Sequence, residues 1–181
     1  MYIIKKSLPP LLPDIERTDC ARILGVHFSP SLSPTQHINR LISLCNQRLF
    51  LLSQLKHQGL PVEALDVIFQ ALVLSKVTYA LQAFAGHISV TDRNRLDKFF
   101  RKSHRRGLVN QVFNISILID RFDSQLFRSI AYPDHCLHYL LPEKRHYSML
   151  LRPRGHNYTL NHISTTHFKN TFVNRCIFGT V

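Results

Sequence analysis

Residues able to do chemistry are concentrated in one stretch of this chain. Positions 93–106 carry Arg93, Arg95, Lys98, Arg101, Lys102, Arg105 and Arg106 against one acid, Asp97. The spacing says more than the count. On a helix, Lys98, Arg101, Lys102 and Arg105 fall at i, i+3, i+4 and i+7 on one face, while Leu96, Phe99, Phe100 and Ser103 share the other. Such a helix docks by its aromatics and presents a row of cations. Like charges at these spacings repel by about 0.2–0.5 kcal/mol per pair, and a polyanion relieves the repulsion. Solvated faces usually mix signs, and this one hardly does. The expected chemistry is contact with nucleic-acid phosphates through Lys98, Arg101, Lys102, Arg105 and Arg106, without base reading. Arg145, Arg152 and Arg154 are the remaining basic candidates.

Other chemistries find too few residues. Two-metal phosphoryl transfer needs paired aspartates, and none of the eleven acids is adjacent to another. Tyr79-Ala80-Leu81-Gln82 begins like a Tyr-x-Asp-Asp tetrad but lacks the aspartates, so Tyr79 is expected in the core. Asp120 and Asp123 flank Arg121 and are expected to cap a following helix. His135, Cys136, His138 and Cys176 match no zinc spacing, and no metal or cofactor is expected. No nucleophile elbow and no glycine-rich phosphate loop is present. Pro10-Leu11-Leu12-Pro13 reads PxxP, but a bend between strands explains it more simply. The chain by itself is expected to have no catalytic residues.

The basic row needs elements to hold it. Residues 2–5 and 20–28 read as two short strands, with Gly25 marking a bulge or close approach. Ser33-Pro34 opens a helix with the stripe Ile38, Leu41, Ile42, Cys45, Leu49 and Leu52, ending at Gly59. After Pro61, residues 62–82 are apolar over most of a helical circumference, so this helix is expected to be central and buried. Ser89 and Asp92 form a capping box that starts the basic helix, which runs to Gly107. Beyond it, short helices are expected at 123–132 and 167–178, with 142–163 irregular. The fold class is therefore mainly α. An N-terminal β-hairpin occupies 1–30, a three-helix bundle 31–107, and a largely irregular, partly helical basic connector and tail 108–181.

The 181 residues suit one ordinary domain, and 45 % hydrophobic composition supports a core. Lys plus Arg is 23 against 11 acids, a net +12, and that field attracts polyanions. The four cysteines are widely spaced, which favours reduced core thiols. No secretory signal is visible, and no run is expected to approach the ~20 apolar residues of a membrane span. The chain reads as soluble and intracellular, with no membrane partner. An interfacial helix would need Leu96, Phe99 and Phe100 for lipid, and the neighbouring stripes need them for the core.

Several residues are familiar together. Arg22-Ile23-Leu24-Gly25-Val26, then Leu32-Ser33 and His37-Ile38, resembles the segment after the catalytic palm of non-LTR (LINE-type) retrotransposon reverse transcriptases. Leu72-Val73-Leu74-Ser75-Lys76 with Thr78-Tyr79-Ala80 is similar to that family's next stretch. Asp92, Leu96 and the 101–106 run resemble its basic helix, and Leu126-Phe127, 137–142, Arg154-Gly155-His156 and 172–178 resemble its tail. The family often has tryptophan near positions 34 and 84, where this chain has Pro34 and Phe84. The resemblance implies a C-terminal fragment of an RNA-directed DNA polymerase. Residues 2–28 would be the last palm hairpin, with Leu24, Gly25 and Val26 where a primer end is gripped. Residues 33–107 would be the thumb on the template–primer duplex. The partners implied are nucleic acid and the upstream palm and fingers. The alternatives are a stand-alone basic RNA-binding protein and a degenerate transposon-derived frame. The first lacks an aromatic RNP strand and a GxxG loop.

Overall fold

The structure is a computed structural model that describes residues 10, 13–14, 16–145 and 156–179. It is mainly helical, with one small antiparallel hairpin at its N-terminal side. The strand expected at 2–5, and Arg152 and Arg154, lie outside the described residues.

The hairpin differs from the one expected. Residues 20–28 do not form one strand. They fold on themselves as β1 (Ala21–Ile23) and β2 (Val26–Phe28), in the register Ala21↔Phe28, Arg22↔His27 and Ile23↔Val26. The register leaves a two-residue loop, Leu24-Gly25, and both residues have positive φ, 47° and 87°. Paired left-handed residues match the strand twist and close a tight hairpin. Gly25 is there for its backbone angle and marks no bulge.

Helix α1 (Thr35–His57) buries His37, Ile38, Leu41, Cys45, Leu49 and Leu52, close to the predicted stripe. It packs against β2, the next helical segment and the basic helix, so α1 takes the central position expected of 62–82. Ser33 is a poor cap, its Oγ lying 3.4 Å from the Thr35 amide, and Thr35 Oγ1 instead donates to Asp92 at 2.8 Å.

The 62–82 region is one face of core and one face of surface. Helix α2 (Val62–Phe69) runs through a π turn (Gln70–Leu74) into α3 (Ser75–Thr78). Its buried residues, Leu65, Phe69, Val73 and Val77, recur every four positions. On a regular α-helix that spacing drifts about 40° per step. One wider turn takes up part of the drift and keeps the row on α1. The Arg48 guanidinium of α1 donates to the Leu72 carbonyl inside this turn. Val67, Leu72 and Tyr79 point outward, 66 %, 41 % and 55 % exposed, so Tyr79 is not a core residue.

The helix stops at Tyr79-Ala80, where Ala80 is left-handed at φ 52°. Helix α4 (Leu81–Phe84) and a 3-10 turn (Ala85–His87) follow and bury Leu81, Phe84 and Ala85. By length and composition Val62–His87 does reach the size of a membrane span, contrary to the sequence reading. The left-handed break and the buried row from Leu65 to Phe84 give it an alternative place, along the core of this fold.

Helix α5 (Val90–Arg105) begins at the predicted cap, Ser89, with Asp92 bonded to the Ser89 hydroxyl in place of the backbone amide of a full capping box. Ser89 Oγ accepts from the Asp92 amide at 3.1 Å and donates to its carboxylate at 2.9 Å. Helix α6 (Ile115–Ile130) starts well before the expected 123 and adds Ile115, Leu118 and Ile119 to the same core. Asp120 and Asp123 therefore lie inside a helix and cap nothing; Asn114 is the cap, accepting from the Ser116 and Ile117 amides. The tail ends in α7 (Thr166–Lys169) and α8 (Phe172–Gly179), and α8 packs on α6.

A candidate nucleic-acid interface

The buried side of α5 is the predicted one: Leu96, Phe99, Phe100 and Ser103 are all in the core. Phe100 is wedged against Phe113 at 5.7 Å between ring centroids, and Phe113 stacks on Phe69 at 6.0 Å. This aromatic train fixes the rotation of α5 about its axis. Lys98, Arg101, Arg105 and Arg106 are left exposed and Lys102 half-buried.

Asp97, the one acid in the run, is turned away from them. Its Oδ1 accepts the Ile115 amide at 2.8 Å, and its Oδ2 lies 3.3 Å from Asn114 Nδ2. It stabilises the N-terminus of α6, where partial positive charge collects. Among the described residues, the only ion pair on α5 is Arg95–Asp92 at 2.8 Å, near its start. The row from Lys98 to Arg106 has no carboxylate within ion-pair distance there. Lys56, from the end of α1, adds another cation at the same end: its Nζ donates to the Arg106 carbonyl at 2.6 Å. The sequence reading missed Lys56, because nothing local links the C-terminus of α1 to that of α5.

The Leu24-Gly25-Val26 triplet is divided by the hairpin. Val26 is 3 % exposed and belongs to the core, while Leu24, at the tip, is 85 % exposed. Tyr79 Oη donates to the Leu24 carbonyl at 3.1 Å, and its ring lies under Gly25. Two separate stretches of the family resemblance thus meet at one point, the hairpin turn resting on the helix break.

The His135, Cys136 and His138 group is tied up in its own turn. His138 Nδ1 donates to the Ile130 carbonyl at 2.8 Å, and His135 Nδ1 accepts from the Leu137 amide at 3.1 Å. Among the described residues, no three His, Cys, Asp or Glu side chains are placed to share a metal. Burial pushes the Cys45 thiol up to about 11 and that of Cys176 to about 12, whereas Cys136 is exposed. Asp123, set aside as a cap, is instead 7 % exposed and paired with Arg175 of α8.

No family model, no curated protein and no solved structure matches this chain.

Proposed function

We propose that the chain is a nucleic-acid-binding segment of the thumb-and-tail kind found in non-LTR retrotransposon reverse transcriptases, and that by itself it has no polymerase centre. The observation that carries the binding part is the α5 row. Lys98, Arg101, Arg105 and Arg106 are exposed with Lys102 half-buried among them, and the one acid of the run is engaged at the N-terminus of α6. A row of long cations at about 5 Å per turn can follow a phosphate track. The contact is to the backbone of the nucleic acid and carries little sequence preference. The placing in a polymerase rests on the resemblance, supported by the meeting of Leu24-Gly25 with Tyr79. The upstream palm and fingers are the protein partner it implies.

The test is binding to an RNA–DNA hybrid duplex across a salt series, with the four-residue row Lys98, Arg101, Lys102 and Arg105 reversed to glutamate. Each phosphate contact contributes a slope of about −0.7 to −0.9 to log affinity against log salt, so the row contributes about −3. The reversal should remove that share and leave the helical signal unchanged. Identical slopes for the two proteins would reduce the row to a solvated face. Template-directed nucleotide incorporation by the purified chain would refute the absence of a polymerase centre.

A further inference from the structure

Beneath the hairpin lies a pair of histidines that this reading does not use. His37, in the first turn of α1, is nine-tenths buried, and its Nε2 has no hydrogen-bond partner. Its ring stands edge-on to Phe84 at 5.0 Å and lies 6.3 Å from that of His27 on β2. His27 Nε2 is 2.9 Å from Arg40 Nη1. The same Nη1 is 3.5 Å from His27 Nδ1, so a fixed cation sits against this ring. Its Nδ1 faces Cys20 Sγ at 3.8 Å.

The charges that act on His27 are cationic, Arg40 on α1 and Arg22 on β1, and the charge that acts on His37 is that of His27. α4 brings the uncharged Phe84 ring to His37. Asp92, the carboxylate that α5 brings to this end of α1, is occupied by Thr35, Ser89 and Arg95. Among the described residues, no acid is recorded acting on His37.

We propose that His37 makes the docking of the β1–β2 hairpin on α1 acid-labile. A proton on its buried ring places a cation beside His27, which already has Arg40 and Arg22 for neighbours. The hairpin, with its Leu24-Gly25 turn, then leaves α1 while the helical core stays folded. Burial, and then the neighbouring His27, holds the His37 ring below its ordinary range; burial, then Arg40 and Arg22, does the same for His27. The sign follows. A depressed histidine leaves docking unaffected above about pH 6.5 and weakens it as pH falls below that value, because the released state binds more protons.

The test is hydrogen exchange of the full chain, read by mass spectrometry from about pH 7.5 to about pH 5 and corrected for intrinsic rates. The amides of 21–28 should lose about tenfold or more in protection, while those of α5 and α6 keep theirs. His37→Phe keeps a ring against Phe84 and removes the proton site, so its hairpin should stay protected throughout. If His37→Phe does not fold, His37→Leu serves the same purpose. Wild-type hairpin protection that is flat across this range overturns the proposal. So does an acid response that survives in the folded variant, or a loss that spreads equally to α5 and α6.

Discussion

Removing Arg175 should loosen the C-terminal segment by a measurable and coupled amount. Its Nε donates to Asp123 Oδ2 at 2.8 Å and its Nη2 to Oδ1 at 2.9 Å; Nη1 reaches the Asn170 carbonyl at 2.9 Å and Nη2 that of Gln82 at 3.2 Å. One side chain of α8 thus ties together α6, the turn before α8 and α4. Gly86 allows this approach, since a Cβ there would sit 1.9 Å from the Asn170 oxygen. Breaking a fully buried pair by deleting one partner costs about 3–5 kcal/mol. Here the side chains are 19 % and 9 % exposed, so solvent relieves part of the cost, and Arg175→Met should cost about 2–4 kcal/mol. Most of that is the unpaired Asp123 carboxylate. Asp123→Leu alone leaves the guanidinium with two carbonyls and should also destabilise. The double variant has neither stranded charge and should cost less than the sum of the singles by about 2 kcal/mol. Urea unfolding is the assay, because guanidinium salts screen the pair. A cost below about 1 kcal/mol for Arg175→Met, or simple additivity in the cycle, would refute the clamp.

Three further outcomes follow from burial and backbone geometry. Phe69→Ala should cost about 3–5 kcal/mol, whereas Leu72→Ala, three residues on and 41 % exposed, should cost no more than about 1 kcal/mol; equal costs in urea melts would contradict the outward placing of Leu72. Leu24 holds a left-handed angle at an exposed tip, so Leu24→Asn should stabilise by about 0.5–1 kcal/mol, and a loss of stability would count against this turn. With a thiol-reactive dye near neutral pH, exposed Cys136 should label in the native chain while Cys45 and Cys176, pushed up to about 11 and about 12, should label only on unfolding.

What the sequence determined by itself is the local part. The spacing of Ile38 to Leu52 specified the buried stripe of α1, Ser89 and Asp92 the start of α5, and Leu96, Phe99, Phe100 and Ser103 its docked face. These depend on residues within a few turns of one another, and one helical period links them. The same locality made the outward row from Lys98 to Arg106 readable. Tertiary structure decided the rest. The apolar circumference of 62–82 could not say which side meets α1. A π turn and a left-handed Ala80 made that choice, and put Leu72 and Tyr79 outside. Asp97 and Asp123 look alike as acids near arginines, yet one joins the Ile115 amide and the other Arg175, 18 and 52 residues away. Leu24-Gly25 became a turn because Ile23 and Val26 pair across it and Tyr79 supports it from 55 residues on. Periodicity reports only the turns beside a residue. Which partner a carboxylate, a carbonyl or an apolar face finds is set by how distant segments close on one core, and that information is not local.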